Sequence, residues 1–409
     1  MRRVLVDAVS ACRLLLAGSA GAFILGAAFN PVISAELPDQ RLLHKDDLLH
    51  VGAFRVPEGG SGGDTFEYGG YSPAFNRASN SLFVVGHRQH QKTAEIAIPE
   101  IVASDNLSDL AVAEFLQPFA DATQGRRRQI NPGNKQAQVI GGQFVEDGTL
   151  LVNVYSTYDA RGSQQSSLFI RSTDLQATDS ISGPLRVGPD AHLTSAYIAQ
   201  IPAAWQPHFG GSLLTGNCCR SIVSFQSHGP AVSAFDWDRE AKRNSIAAIN
   251  LLRYDSNRPL GPGMKSRNPV FNMTSEVEGV VFPEGSGSVL FFGPHGTGEY
   301  CYGEAEECGD KAMIYKGNHA YPYVYQVWAY DAADLVSVRR KRKNPRSVTP
   351  YDIWTFNLPF EADNAHTIGG VAYDSETDRL YLSQLRSDGN TRPVIHVFQI
   401  REEASPSPQ

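Results

Sequence analysis

The stretch "GGYSPAFNRASNSLFVVGH" spans Gly69–His87 and decides the fold. A glycine pair opens a short strand, "YSPAFN". A polar turn follows, and then "SLFVV", whose last four positions are all apolar. A strand with one wet face alternates in polarity, whereas a run without alternation is buried on both faces. The arrangement returns as "GGQFVEDGTLLVNVYS" (Gly141–Ser156), "EGVVFPEGSGSVLFFG" (Glu278–Gly293) and "GGVAYDSETDRLYLSQ" (Gly369–Gln384). A degenerate copy, "SAYIAQIPAAWQPHFGGSLLTG", covers Ser195–Gly216. The copies start roughly 55–90 residues apart, a scale on which a chain repeats whole structural units.

Each copy goes on in the same way. A polar loop leads to a third strand, as in "TAEIAIPEIV", "SSLFIRSTDL", "PAVSAFDWD", "YVYQVWAYDAADL" and "VIHVFQI". A fourth follows in "VAEFLQPFA", "ISGPLRVG", "SIAAINLLRY" and "YDIWTFNLPF". Four antiparallel strands per unit make a propeller blade. The fifth copy ends at Ile400 without a fourth strand, and "LLHVGAFRVPE" (Leu48–Glu58) fits that role. The expectation is an all-β, five-bladed β-propeller of four-stranded blades over residues 45–401. An N-terminal strand would complete the last blade and remove two exposed sheet edges. The tail "EEASPSPQ" (402–409) is expected to be disordered.

Residues 1–35 read as a secretory signal peptide. Arg2 and Arg3 precede an apolar, small-residue run from Leu14 to Phe29, and "ISA" offers a cleavage site before Glu36. The expected destination is the periplasm or the medium, with no stable membrane span after cleavage. The chain carries a net charge of −7, and removing this segment takes away more Arg than Asp. An acidic protein is a poor electrostatic partner for nucleic acid, and none is expected. Outside the leader stand four cysteines, Cys218, Cys219, Cys301 and Cys308. In an oxidising compartment an even count reads as disulfides. The short-loop pairing Cys301–Cys308 is the expected one, and it leaves Cys218 and Cys219 as a vicinal pair.

In a propeller, the loops from second to third strand share one face with the loops that enter each innermost strand. Sorting the sequence this way gathers His, Arg, Tyr, Glu and Cys on one face. The longest loop there begins with "GPHGTGEYCYG" (Gly293–Gly303), whose glycines would permit unusual backbone angles. His295 and Tyr300 are expected to project over the channel as proton carriers. Glu278 precedes Gly279 where other copies have Tyr68, Ile140 or Ile368 before a glycine, and it is the candidate carboxylate of the channel. Glu276 or Glu67 would be its partner in a hydrolytic pair. His87, Arg88, Arg220, Tyr302, His366 and Arg386 are the candidate ligand-binding residues. Convergence of Arg88, Arg220 and Arg386 would create a cationic mouth suited to carboxylate or sulfate groups. The basic run "RRKRKNPR" (Arg339–Arg346) reads as a solvated loop.

There is no phosphate loop, HExxH or dinucleotide fingerprint, and neither a cofactor nor a bound metal is expected. The repeats resemble five-bladed propellers as an architecture, a group that includes many glycoside hydrolases as well as lectins and nucleotidases. That resemblance implies a carbohydrate ligand and no role for any individual residue; a carbohydrate or other small polar ligand at the channel mouth and a monomeric state are expected. The expected function is binding of a carbohydrate, anionic if the arginines converge, with cleavage by a polysaccharide lyase or glycoside hydrolase. The alternative is a non-catalytic binding or scaffold propeller of the cell envelope.

Overall fold

The computed structural model describes residues 36–60, 63–178, 181–219, 227–237, 244–361 and 366–401. The expected leader, the tail and Arg220 lie outside the described residues. From Leu37 onward the chain forms five four-stranded antiparallel blades, one for each copy of the repeat. Blade 1 runs through Tyr71–Asn76, Ser81–Val85, Thr93–Ala97 and Phe115–Ala120. Blade 2 holds Gln138–Glu146, Thr149–Ser156, Leu168–Ser172 and Ser182–Val187, with Ser245–Ile246 as a short parallel addition. Blade 3 has Ile198–Gln200, Leu213–Thr215, Val232–Phe235 and Ala248–Leu252. Blade 4 has Gly279–Val281, Ser288–Gly296, Tyr323–Asp331 and Asp352–Phe356. Blade 5 has Ile368–Asp374, Arg379–Asp388 and Arg392–Ile400, and takes Leu48–Arg55 as its outer strand.

The double-sided burial of the second strands has a direct cause. Leu82 and Val84 pack toward blade 5, while Phe83 and Val85 pack toward blade 2. Leu150 and Val152 face blade 1, and Leu151 faces blade 3. Phe291 joins the core shared with blade 3, and Phe292 the core shared with blade 5. Each gap between blades thus holds its own apolar cluster, and successive residues of one strand serve two different clusters. Truncating one such phenylalanine to alanine would cost about 3–5 kcal/mol.

Ring closure is detailed. Leu48–Arg55 pairs antiparallel with Arg392–Ile400, from Leu48 opposite Ile400 to Arg55 opposite Val394. Arg55 Nε reaches Asp388 Oδ2 at 2.9 Å, and Arg392 bridges Asp388 (3.3 Å) and Glu58 (2.9 Å). His50 Nε2 meets the buried His396 Nδ1 at 3.0 Å, His396 Nε2 donates to Gln384 Oε1 at 2.8 Å, and Gln384 Nε2 donates to the Tyr325 hydroxyl at 3.0 Å. That chain crosses blade 5 into blade 4. Before the closing strand, residues 37–47 form a strap. Trp205 of blade 3 donates to Gln40 (2.7 Å), and the Leu43 amide donates to Ser288 of blade 4 (2.8 Å).

The basic run is only partly a loop. Arg339 ends the helix Ala332–Arg339, whose first turn is capped by Asp331 accepting from the Ala333 amide at 2.8 Å. The remainder is surface chain pinned by Lys343–Asp334 and Arg346–Asp255 pairs, both at 2.7 Å.

Removing Leu48–Glu58 leaves the third strand of blade 5 with an open edge and uncovers Val394, Ile395 and Val397. The expected outcome is loss of the folded state. A shortened protein that stays soluble and melts at the wild-type temperature would contradict closure by this strand.

Candidate functional site

The innermost strands all start at one end of the channel, where a cavity of about 450 Å³ opens. The residue before the repeat glycine lines it in four blades: Tyr68, Ile140, Glu278 and Ile368. The loop after the second strand of blade 1 adds Arg88 and Gln91, blade 5 adds Arg386 from within its second strand, and blade 2 adds Tyr155 from the end of its second strand. The opposite end of the channel holds a hollow of about 360 Å³, lined mostly by strand ends and turn backbone. Arg88, Arg386, Glu276 and Glu278 belong to the first cavity, together with Tyr68, Tyr71, Tyr155 and Tyr315.

Its two carboxylates come from one extended segment. Glu276, Val277 and Glu278 alternate between partial exposure and full burial, so both glutamates occupy the channel face while Val277 enters the core. Their amides donate to Pro294 (3.1 Å) and Phe292 (2.8 Å), which continues the sheet of blade 4 up to the mouth. Arg88 lies over the Tyr71 ring at 5.4 Å and donates from Nη1 to the Tyr71 hydroxyl at 3.4 Å. Tyr71 first, and then Tyr155 and Glu276, reinforce its positive charge against the opposing effect of burial. The guanidinium is ringed by protein yet still touches the water-accessible cavity. Tyr68 (φ 50°), Gln91 (56°) and Arg386 (55°) hold left-handed backbone conformations, and all three line the cavity. None is Asn or Asp, which tolerate this region best among residues with a side chain. Such conformations cluster where function over-determines the backbone.

The long insertion of blade 4 contributes through its far end. Met313, Ile314 and Tyr315 reach the cavity, with Ile314 82% and Tyr315 48% exposed. Burial and then Glu276 push the Tyr315 phenol above its ordinary range, while Arg88 and Arg386 pull it down. Its hydroxyl end therefore lies in the field of Glu276, Arg88, Asp310 and Arg386. The base of the insertion is a small hairpin, Cys301–Gly303 against Gly317–His319, stapled by a Cys301–Cys308 disulfide. Beneath it the buried Asp310 carboxylate accepts four hydrogen bonds. His319 Nδ1 and the Tyr323 hydroxyl donate to Oδ2, each at 2.7 Å, and the amides of Ala312 (2.8 Å) and Met313 (3.0 Å) donate to Oδ1. Burial alone would raise this carboxyl, but the bonds from Tyr323, His319, Met313 and Ala312 outweigh it and hold it below the usual range.

Several residues expected over the channel lie elsewhere. His295 belongs to the strand Ser288–Gly296, opposite Val324, and is 1% exposed. Its Nδ1 meets Ser275 Oγ at 2.8 Å, and its Nε2 turns toward the Asn268 backbone without a well-formed hydrogen bond. Burial pushes its pKa down to about 4. Tyr300 donates to Asn318 Oδ1 at 2.9 Å within the insertion, and Tyr302 is 61% exposed on the outer hairpin. Neither lines the cavity. His87 packs edge-on against Tyr68 (5.9 Å) and His90 (4.9 Å) beside the rim. His366 is paired with Glu361 at 2.6 Å and rests on Tyr325 at 4.7 Å. Arg88, Arg386 and Glu278 do come together. Cys218 and Cys219 form a buried vicinal disulfide in blade 3. Among the described residues no group of three or more His, Cys, Asp or Glu is arranged to hold a metal ion, and no helix is long and apolar enough to cross a membrane.

The glycines of "GPHGTGEYCYG" serve a different purpose from the one expected. Gly293, Gly296 and Gly298 have no left-handed backbone, but a Cβ on Gly293 would collide with the Glu276 carbonyl. Close approach of the glutamate segment, and not unusual dihedral angles, requires glycine there.

No family model and no curated sequence matches the chain. Among solved structures it is similar to a candidate glycoside hydrolase from Parabacteroides distasonis, with 13% identity and a TM-score of 0.41 over 90% of this chain and 96% of that one. It is also similar to an exo-1,5-alpha-L-arabinanase from a bovine ruminal metagenomic library, with 9% identity and a TM-score of 0.41 over 81% and 93%. A luciferin-regenerating enzyme matches at 11% identity and a TM-score of 0.34 over 86% and 94%. Likeness this distant leaves the chemistry of the mouth to be judged on its own geometry.

Two outcomes follow from these placements. Asp310→Asn is expected to loosen the insertion by roughly 3 kcal/mol, the scale of breaking a buried charged network. Hydrogen exchange around Met313–Tyr315 should rise while the blades stay protected. Acid should loosen the wild type in the same way, because a carboxyl held low in the fold stabilises it at neutral pH and loses that contribution as pH falls. For His295 the unfolded chain takes up the proton first, so stability falls as pH drops from about 6.5 to about 4, by roughly 3 kcal/mol from this residue. His295→Gln should flatten that part of a denaturation-versus-pH curve; an unchanged curve would show that the imidazole is not buried.

Proposed function

We propose that this protein is an exported propeller that binds carbohydrate at the channel mouth and hydrolyses glycosidic bonds there. The observation that carries the reading is the placement of two carboxylates, Glu276 and Glu278, on one face of a cavity walled by tyrosines and arginines. Tyrosine faces offer flat apolar platforms with a polar rim, suited to sugar rings. The two disulfides fit an oxidising compartment outside the cytoplasm.

Glycoside hydrolysis needs one carboxyl group to protonate the leaving oxygen and a second to act as base or nucleophile. Glu276 lies in the field of the Arg88 guanidinium, and Glu276 and Glu278 together are the two carboxyl groups that the reaction would use. A lyase needs a base and an acid beside the scissile carbon, and the two groups expected for that work, His295 and Tyr300, are held away from the cavity. The paired carboxylates Glu276 and Glu278 are what support hydrolysis.

The test is incubation with a panel of neutral and acidic polysaccharides. New reducing ends without an ultraviolet-absorbing double bond are expected, and Glu278→Gln should lower the rate about 10²–10⁴-fold while leaving binding in place. An unsaturated product would replace the hydrolase reading with a lyase. Binding without cleavage would make the molecule a non-catalytic carbohydrate-binding propeller.

A further inference from the structure

Arg386 is the cavity arginine whose charge no described residue answers. It sits between Gln384 and Asp388, where the register of the second and third strands of blade 5 slips and then resumes at Asp388 opposite Arg392. A bulge of this kind re-aims a side chain and is common beside binding sites. The backbone at Arg386 is left-handed, with φ 55°, and the side chain lines the mouth. Neighbouring backbone is well tied: the Leu385 amide donates to Thr367 at 3.0 Å, and Ser387 Oγ donates to the Leu385 carbonyl at 3.1 Å. The guanidinium itself makes no hydrogen bond and no ion pair with any described residue.

Its surroundings sharpen the contrast. Glu276 is drawn to Arg88, and Glu278 has partners of its own. Asp388, two residues away, is taken by Arg55 and Arg392. Arg386 thus enters the cavity without an ion pair of its own, in a protein that is acidic as a whole. The Tyr315 phenol lines the same cavity, within the fields of both Arg88 and Arg386. A ligand in this cavity can therefore meet both a forked five-donor group and an aromatic ring. The fork matches two oxygens of a carboxylate or a sulfate ester.

Resting on the carbohydrate reading of this mouth, we propose that its ligand is an acidic sugar whose anionic oxygen group is held by Arg386, with Tyr315 covering the same subsite. Arg386 is thereby the residue that selects acidic over neutral carbohydrate. Arg88, already committed to Tyr71 and Glu276, orients the site.

The test uses the full protein and three matched probes: a uronic-acid oligosaccharide, the same oligomer with its carboxyl groups reduced to alcohols, and a sulfated neutral oligomer of equal length. Calorimetry should show at least one acidic probe binding ten-fold or more tightly than the reduced one, with an advantage that shrinks as salt is added. Which acidic probe wins distinguishes carboxylate from sulfate ester. Arg386→Gln should bring that probe to within about two-fold of the reduced oligomer, at an unchanged melting temperature. Arg386→Lys should keep part of the preference, since charge remains and the fork is lost. Tyr315→Ala should weaken the acidic probe further than Tyr315→Phe does. Equal affinity for all three probes in the wild type, or a preference that survives Arg386→Gln, overturns the proposal while leaving carbohydrate binding intact. If no sugar binds but sulfate ion raises the melting temperature in the wild type and not in Arg386→Gln, the anion site stands and the carbohydrate reading falls.

Discussion

Everything in this molecule depends on strands that are covered on both faces. A blade has no outer surface of its own in the middle of the ring, because each face is a neighbour's wall. That condition removes the usual alternation from the second strands and requires a separate apolar cluster in each gap. It also means that no blade is stable alone. An open ring would leave two sheets with bare faces and unpaired edges, so the strand Leu48–Arg55 holds the whole assembly by closing one gap. The strap at residues 37–47 adds to this by tying blades 3 and 4 before the chain reaches the seam.

Closure of the ring is also what makes a site. Five innermost strands start at the same end, so residues far apart in the chain meet in one mouth. The repeat assigns the position before its glycine to that mouth, and blade 4 fills it with Glu278 in place of a neutral residue. Blade 5 contributes through a different device, the bulge at Arg386. A propeller therefore varies its mouth from blade to blade. Ile140 and Ile368 at the mouth still join the cores between blades, whereas the equivalent position in blade 4 carries a carboxylate.

Fold and mouth were legible to different degrees for physical reasons. The repeat was readable because blade packing acts on every copy alike and leaves the same trace in each, even in the degenerate third one. Glu278, Arg88 and Arg386 were readable because they sit at repeat-defined places. His295 was misplaced because "GPHG" reads as a loop. The strand in fact runs on to Gly296, and alternation then turns the imidazole inward against Ser275 and Trp328. The glycines that suggested a loop are instead where neighbouring backbone comes too close for a Cβ. Tyr315 left no trace at all, since the insertion that carries it has no counterpart in the other blades. Tyr71 and Tyr155 could have been found from their repeat positions, one just after a glycine pair and the other at the end of a second strand.

The insertion combines the two kinds of constraint. Its tip is apolar and exposed, a costly arrangement for a loop in water, and nothing in the blades requires it. What holds the tip over the mouth is a buried acid–imidazole–phenol cluster at Asp310, His319 and Tyr323, with a cystine closing the base. A loop anchored by packing alone would settle onto the nearest apolar surface. Directed hydrogen bonds to one carboxylate instead fix Ala312 and Met313 by their amides, so that the following residues must point outward. The rigid element is thus the stalk, and the side chain it presents, Tyr315, keeps its ring open toward the cavity while its hydroxyl stays within the field of the charged groups below.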